Sequence, residues 1–213
     1  MMPLQNRVNP FGEIIATPHR GAFTGNRGII HSDGQKITKI FALKVWITCR
    51  LTYKNFKRTV MTGRKWTELF FLDEATAFAA GHRPCGFCRN ADYKKFKALW
   101  LKANAGFYEL ADEKIPSIDK IIHQERLTKL RTKNVYFERL CNLPDGVIIA
   151  FPNDLTKCFL HKNGKLFQWQ PQGYVSEIKP HKGLEVIVLT PKSFVRVFET
   201  GFLPQIDKSF LLF

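Results

Sequence analysis

The sequence predicts an α+β fold, in which an N-terminal α/β module containing a cysteine knuckle is followed by a small antiparallel β unit with a terminal helix. Two observations carry this prediction. Helical patterns flank a Cys-x-x-Cys turn in the first part of the chain. Short β-branched and aromatic segments, separated by turn signals, dominate the last third. We therefore expect one unit over residues 1–140 and another over residues 141–213.

The composition is that of a folded protein. The chain has 213 residues, of which 45% are hydrophobic, and this is enough to bury a substantial core. No apolar run is long enough to span a bilayer, and the N-terminus lacks an apolar signal segment. We therefore expect a soluble, cytoplasmic protein without a membrane partner. Five cysteines, an odd number, argue against a disulfide framework.

The N-terminal part is expected to be mostly β. Residues 13–16 and 28–31 are predicted as short strands, and the glycine-rich segment 20–28 as a loop with turns. Residues 42–53 are predicted as a strand with a partner near residues 59–61. The period of two places Cys49 on one face with apolar neighbours, so a buried thiol and a metal ligand are both open interpretations.

Three helices are expected next. Residues 73–80 form the first, which Gly81 ends, and Asn90 offers an N-cap for the second, over 91–103. The third runs from about residue 117 to residue 131. In the β unit, strands are expected at 147–151, 158–161, 165–169 and 184–189, with a type I′ hairpin at Asn163-Gly164. Pro191 opens a last helix, which Gly201 closes.

The knuckle lies between the first two helices and contains Cys85 and Cys88. A Cys-x-x-Cys turn presents two sulfurs to one ion, and zinc takes thiolate and imidazole ligands in a tetrahedral arrangement. Cys49 and His31 are the expected remaining ligands, whereas His82 is too near Cys85 in sequence. A reduced dithiol without metal is the alternative. Cys141 and Cys158 are interpreted as ordinary core thiols.

Positive charge accompanies the knuckle. The net charge is +15, and residues 36–102 hold 15 lysines and arginines against four acidic residues. This local excess predicts contact with the phosphates of DNA or RNA through counterion release. The expected phosphate contacts are Arg83, Arg89, Lys94, Lys95 and Lys97. Aromatic residues such as Phe87 and Trp66 are expected to stack on bases. A solvated lysine face is the alternative.

Residues 70–89 read Phe-Phe-Leu-Asp-Glu-Ala-Thr-Ala-Phe-Ala-Ala-Gly-His-Arg-Pro-Cys-Gly-Phe-Cys-Arg. This segment resembles the second half of the zinc-binding, methyl-accepting N-terminal domain of the bacterial adaptive-response DNA-repair protein Ada. The resemblance implies that Cys85 and Cys88 ligate zinc. In that family a Cys-x-x-x-Cys pair lies upstream, and one of its cysteines accepts a methyl group. Here only Cys49 lies upstream, with Val45 and Tyr53 at the two positions that would complete the pair.

The sequence therefore favours a zinc-containing nucleic-acid-binding protein, with a link to DNA repair implied by the resemblance. The alternatives are an enzyme acting on nucleic acid and a zinc-stapled interaction module. The enzyme could use Cys49 as an alkyl acceptor, a hydrolytic site from His31, His123 and Glu125, or the amides of the 25–28 loop to hold a phosphate. Because the upstream pair is broken, we expect Cys49 to be a ligand or a core thiol.

Overall fold

The computed structural model describes residues 2–54, 59–63, 66–181 and 183–213 of the chain. Within these residues, two six-stranded sheets and four α-helices confirm the α+β class. The strands are β1 Gln5–Val8, β2 Ile14–Ala16, β3 Phe23–Asn26, β4 Ile47–Arg50, β5 Leu69–Phe71, β6 Arg83–Pro84, β7 Tyr136–Arg139, β8 Ile148–Phe151, β9 Asp154–Lys162, β10 Lys165–Gln170, β11 Gly173–Ile178 and β12 Glu185–Val188. The helices are α1 Glu74–Ala79, α2 Asn90–Asn104, α3 Ile115–Arg126 and α4 Lys192–Glu199.

The first sheet has the strand order β2-β1-β5-β3-β4-β6. Its last pair is parallel, so that Ile47 lies opposite Arg83 and Thr48 lies opposite Pro84. The next residue of each strand is a cysteine, Cys49 in β4 and Cys85 just after β6. The parallel register therefore brings two cysteines that are distant in sequence to the same end of the sheet.

Strand β3 corrects the prediction of a loop over residues 20–28. It lies between β5 and β4 and pairs with both. A Cβ built on Gly25 would lie 2.1 Å from the carbonyl oxygen of Ile47, so glycine is needed here for close packing between strands and not for a turn. Gly28, with φ +91°, does adopt the left-handed turn conformation that the sequence predicts.

Three other predicted strands differ from the structure. The strand expected over 42–53 is limited to β4, and its expected partner at 59–61 is turn and irregular chain. Residues 28–31 contribute only an isolated bridge between His31 and Ile37. Residues 59–61 do not pair with β4, because β3 and β6 already occupy both of its edges.

The helices follow their local signals more closely. Asp73 caps α1, because its Oδ1 accepts the Thr76 N–H at 2.8 Å, and Gly81 follows the helix with φ +85°. In α2 the N-cap is Arg89, and Asn90 instead donates its side-chain amide to the Gly86 carbonyl at 2.8 Å. Helix α3 ends at Arg126, five residues before the predicted end, because the chain turns extended at once and Leu127 bridges to Lys133.

The second sheet has the order β11-β10-β9-β8-β12-β7 and is antiparallel throughout. Positive φ at Asn163 (51°) and Gly164 (71°) confirms the predicted hairpin between β9 and β10. Pro191 precedes α4, and Gly201 follows it with φ +95°. The sequence did not predict β7 or β11.

The core is continuous across the boundary expected near residue 140. Phe78 of α1 and Phe96 and Trp100 of α2 share one cluster of buried side chains with Val147 and Phe159 from the second part of the chain. The helices therefore fix the first sheet, and the knuckle it carries, to the second. Among the described residues, no helix combines the length and apolar character needed to cross a membrane.

Candidate metal centre and basic cavity

Three cysteine sulfurs meet at the end of the first sheet. The Sγ atoms of Cys49, Cys85 and Cys88 all lie within 4.8 Å of one another, and all three residues are buried. The Cys85 N–H donates to the Thr48 carbonyl at 2.9 Å, which continues the β4–β6 pairing into the knuckle. The three cysteines could hold one metal ion, as the sequence predicts for these residues.

Backbone amides prepare the sulfurs for negative charge. The N–H of Phe87 donates to Cys85 Sγ at 3.4 Å, and the N–H of Cys88 donates to the same atom. The N–H of Arg50 donates to Cys88 Sγ. A hydrogen bond from Cys49, helped by these amides, lowers the pKa of Cys85 to about 5. The same hydrogen bond and burial raise the pKa of Cys49, and burial raises that of Cys88.

These shifts favour the thiolate form of Cys85 and the thiol forms of Cys49 and Cys88. A bound cation would replace the two remaining protons, because metal ligation by cysteine requires the thiolate form. A buried three-sulfur donor set with N–H donors directed at the sulfurs fits a metal ion that prefers soft ligands.

The structure does not bring His31 to this cluster. His31 is buried beside Thr67, with its Nδ1 2.6 Å from Thr67 Oγ1. Of the described histidines, cysteines and acidic residues, only the three cysteines group together at ligand distance. Ile47 and Tyr53 are partly buried against them. The two remaining thiols differ: Cys158 is buried in the second sheet as expected, whereas Cys141 is exposed.

Arg83 and Arg89 do not have the phosphate-binding role expected from the sequence. Arg83 is buried and donates to both carboxylate oxygens of Asp119, at 2.8 and 2.7 Å. Arg89 is also buried and forms ion pairs with Glu74 and, at 3.0 Å, with Asp92. Both guanidiniums are satisfied by carboxylates inside the protein, so they link the knuckle to the helices and are not available to phosphates.

The three predicted lysines of α2 face outward. Lys94 and Lys95 are exposed and Lys97 is partly exposed. The Lys95 amine lies 5.6 Å from the centre of the Phe202 ring. Their position leaves them free to meet an external anion.

The knuckle itself presents an exposed aromatic group. Phe87 lies between Cys85 and Cys88 and is 65% exposed, while Trp66 is 37% exposed. The Phe87 ring packs edge-on against Tyr53 with 5.2 Å between the ring centres. The amine of Lys54 lies 5.6 Å from the Tyr53 ring and 5.9 Å from the Phe87 ring. We call Arg50, Tyr53, Lys54 and Phe87 the knuckle surface.

A second site lies on the first sheet and was not predicted. It is a cavity of about 540 Å³, which we call the basic cavity. Its lining includes the cations Arg27, Arg126 and Lys133, the exposed carboxylate of Glu13, and apolar side chains. Two of the cations lie over the Trp46 side chain, with Arg27 Cζ 4.0 Å and Arg126 Cζ 4.5 Å from a ring centroid. Gly81 allows Arg126 to approach, because a Cβ there would lie 3.0 Å from its side chain.

The hydrolytic alternative is not assembled. His123 packs against the Phe41 ring with 4.8 Å between ring centres. Glu125 instead accepts hydrogen bonds from Tyr108 and from Ser193 at the start of α4. His31 lies beside Thr67, as described above. The segment 25–28 contributes to the basic cavity through the side chain of Arg27 and not as a phosphate-binding loop.

Sequence reasoning missed the basic cavity because its cations are far apart along the chain and none lies in a recognisable motif. Comparison with family models, curated proteins and solved structures gives no match, so the Ada resemblance of residues 70–89 stays a prediction.

Proposed function

We propose that this protein is a zinc-containing nucleic-acid-binding protein, in which zinc held by Cys49, Cys85 and Cys88 fixes the knuckle surface for contact with DNA or RNA. The observation that carries the proposal is the exposed Phe87 ring on the cysteine turn itself, flanked by Tyr53 and Lys54. Exposed aromatic rings beside cations are the means by which proteins bind single strands without sequence preference.

Zinc suits the three-sulfur site because it accepts thiolates in tetrahedral geometry. Three protein ligands leave one position for water or another donor. Bound zinc would hold β4 against the turn that carries Phe87, and its binding free energy would add to the stability of the fold. Its role in this proposal is structural.

The contacts with nucleic acid divide into stacking and charge. Phe87 and Tyr53 offer rings to bases, and Lys54 and exposed Arg50 offer charges to phosphates. Lys94 and Lys95 extend this basic surface along α2, which begins directly after the knuckle. Such a surface recognises the backbone and the faces of bases, so we expect little sequence preference.

Two observations disfavour the enzymatic alternatives. Cys49 is only 4% exposed, which shields the sulfur that would accept an alkyl group. His123 and Glu125 make separate structural contacts. The link to DNA repair has the Ada resemblance as its support.

The test is the affinity for labelled single-stranded oligonucleotides, measured by fluorescence anisotropy over a salt series. Loss of stacking at about 1–3 kcal/mol per base predicts that Phe87→Ala weakens binding roughly 5- to 150-fold. Phe137→Ala is the matched control, because Phe137 is similarly exposed (57%) but lies on β7 of the second sheet. Equal affinity of the two variants would refute the stacking role.

The charge component has its own test. Replacing both Lys94 and Lys95 with Glu is expected to weaken binding and to flatten its dependence on salt. Lys114→Glu with Lys120→Glu is the control, since both lysines are exposed on or beside α3. If wild-type protein with a full complement of zinc shows no affinity at low salt, the proposed function is wrong.

A further inference from the structure

We propose that the basic cavity is a binding site for a phosphate monoester, whose phosphate is held among Arg27, Arg126 and Lys133. The proposal does not depend on nucleic-acid binding by the knuckle surface. A free phosphorylated small molecule and the phosphorylated end of a nucleic-acid strand share this chemistry.

Arg27 and Arg126 carry buried charge that no ion pair between described residues compensates, although the charges of Asp119 and Glu125 act to raise the pKa of Arg126. Arg27 and Arg126 are each only 1% exposed, yet within the described residues neither forms an ion pair with a carboxylate. Arg27 donates to the Gly12 carbonyl at 2.9 Å and to His82 Nε2 at 3.2 Å, and Arg126 donates to the Lys44 carbonyl at 2.8 Å. Neutral partners of this kind satisfy hydrogen bonds but do not balance buried charge.

The same two arginines also have hydrogen-bond donors without an acceptor. Arg27 Nη2 and both Nε and Nη2 of Arg126 are buried without a hydrogen-bond partner among the described residues. Buried polar groups are nearly always satisfied, so unpaired donors on two arginines that line one cavity point to a missing acceptor. Arg83, in contrast, is satisfied by the two carboxylate oxygens of Asp119.

The titration of the cluster agrees with this geometry. Burial lowers the pKa of Arg27 and of Arg126 to about 9, so both stay charged at neutral pH. Burial and the two nearby guanidiniums lower the pKa of Lys133 to about 7. His82, which Arg27 contacts, has a pKa far below its usual value for the same reasons and stays neutral. An anion among these groups would relieve their mutual repulsion.

A phosphate monoester fits better than a carboxylate. It carries close to two negative charges and three acceptor oxygens at neutral pH, which matches three cations and several free donors. The cavity, at about 540 Å³, also has room for the organic part of the ligand, beside apolar side chains such as Phe11, Ile14 and Ile37. Exposed Lys39 and Arg131 line the same cavity and would draw anions toward it.

The test is isothermal titration calorimetry of the zinc-loaded protein with four probes. These are inorganic phosphate, adenosine monophosphate, an oligonucleotide with a terminal phosphate and the same strand without it. Binding of adenosine monophosphate would identify a free ligand as sufficient. A preference of tenfold or more for the phosphorylated strand over the unphosphorylated one would identify a strand end. Acetate at equal concentration is expected to show no detectable binding and not to compete with the phosphate-bearing probes.

Lys133→Met and Arg126→Met are each expected to weaken phosphate-dependent binding by about tenfold or more, as loss of a charge-assisted hydrogen bond implies. Phe87→Ala must leave it unchanged, which separates this proposal from the proposed function. Phosphate stabilises proteins generally. A rise in the melting temperature of the wild type on adding phosphate therefore supports binding only where it exceeds the rise seen for Lys133→Met.

Folding of the variants is checked in the absence of phosphate. Arg126→Met is expected to lower the melting temperature less than Arg83→Met, since the latter leaves the buried carboxylate of Asp119 unpaired. The proposal is overturned if none of the phosphate-bearing probes binds the wild type. It is equally overturned if both cavity variants fold and bind the probes as the wild type does.

Discussion

The buried pair of Arg83 and Asp119 allows a decisive test of the roles that the structure gives to the arginines of the knuckle. Asp119 accepts two hydrogen bonds from Arg83, at 2.8 and 2.7 Å, and the two side chains are 5% and 4% exposed. Asp119→Asn removes the charge and keeps the volume. It leaves a buried guanidinium without its counter-charge, and breaking such a pair costs about 3–5 kcal/mol of unfolding free energy.

The loss of unfolding free energy in Asp119→Asn should exceed the contribution of the Arg83–Asp119 pair alone. The charge of Asp119 also favours the charged form of Arg126, so its neutralisation increases the electrostatic repulsion within the basic cavity. The assay is urea unfolding of zinc-loaded protein, followed by far-ultraviolet circular dichroism. Glu177→Gln is the matched control, because its pair with Lys165 (2.7 Å) is partly exposed and should contribute about 0–1 kcal/mol.

A double variant tests whether the destabilisation comes from the unpaired charge. Arg83→Met with Asp119→Leu removes both charges, and we expect it to be more stable than Asp119→Asn alone, because no unpaired buried charge is left. The interpretation of Arg83 as a structural residue is refuted if Asp119→Asn unfolds at the same urea concentration as Glu177→Gln. It is also refuted if Asp119→Asn is fully stable but weakens DNA binding.

Three further results are expected. Elemental analysis of untagged protein should give one zinc per chain, and Cys85→Ser or Cys88→Ser should release the metal and lower the melting temperature; metal-free protein of unchanged stability would refute a structural zinc. Mass spectrometry after incubation with methylated DNA should show no gain of about 14 Da on Cys49, which is buried; a methyl group lost in Cys49→Ser would restore repair chemistry. Phosphate-monoester binding should weaken between about pH 6.5 and about pH 8.5, because Lys133 has a pKa of about 7 beside Arg27, Arg126 and neutral His82 and loses its proton over this range. Calorimetry in buffers of different ionisation enthalpy should show that binding takes up protons. An affinity that does not change with pH would contradict this prediction.

Local signals in the sequence determined the elements that depend on neighbouring residues. Asp73 and Gly81 mark the two ends of α1, and Asn163-Gly164 makes the turn of a hairpin, because caps and turns are satisfied by residues a few positions away. The Cys-x-x-Cys spacing likewise places Cys85 and Cys88 together, because the segment between them forms a turn.

Only the tertiary structure decided what depends on partners distant along the chain. Gly25 suggests a turn by its local preference, but it lies in a central strand because the Ile47 carbonyl packs where a side chain would be. Cys49 joins the knuckle through the parallel β4–β6 register, whereas His31 lies elsewhere and contacts Thr67. The sequence predicted both as ligands, and the structure brings only Cys49 to the knuckle.

The charges show the same division. The sequence determined that the chain is strongly basic, with the excess near the knuckle. It did not determine which cations face solvent, because Asp119, the carboxylate that pairs with buried Arg83, lies 36 residues away in the chain. It also did not reveal the basic cavity, since Arg27 and Arg126 meet around Trp46 only after the first sheet and α3 have packed together. Whether a cation binds a ligand or supports the fold depends on its distance from a carboxylate, and the folded chain sets that distance.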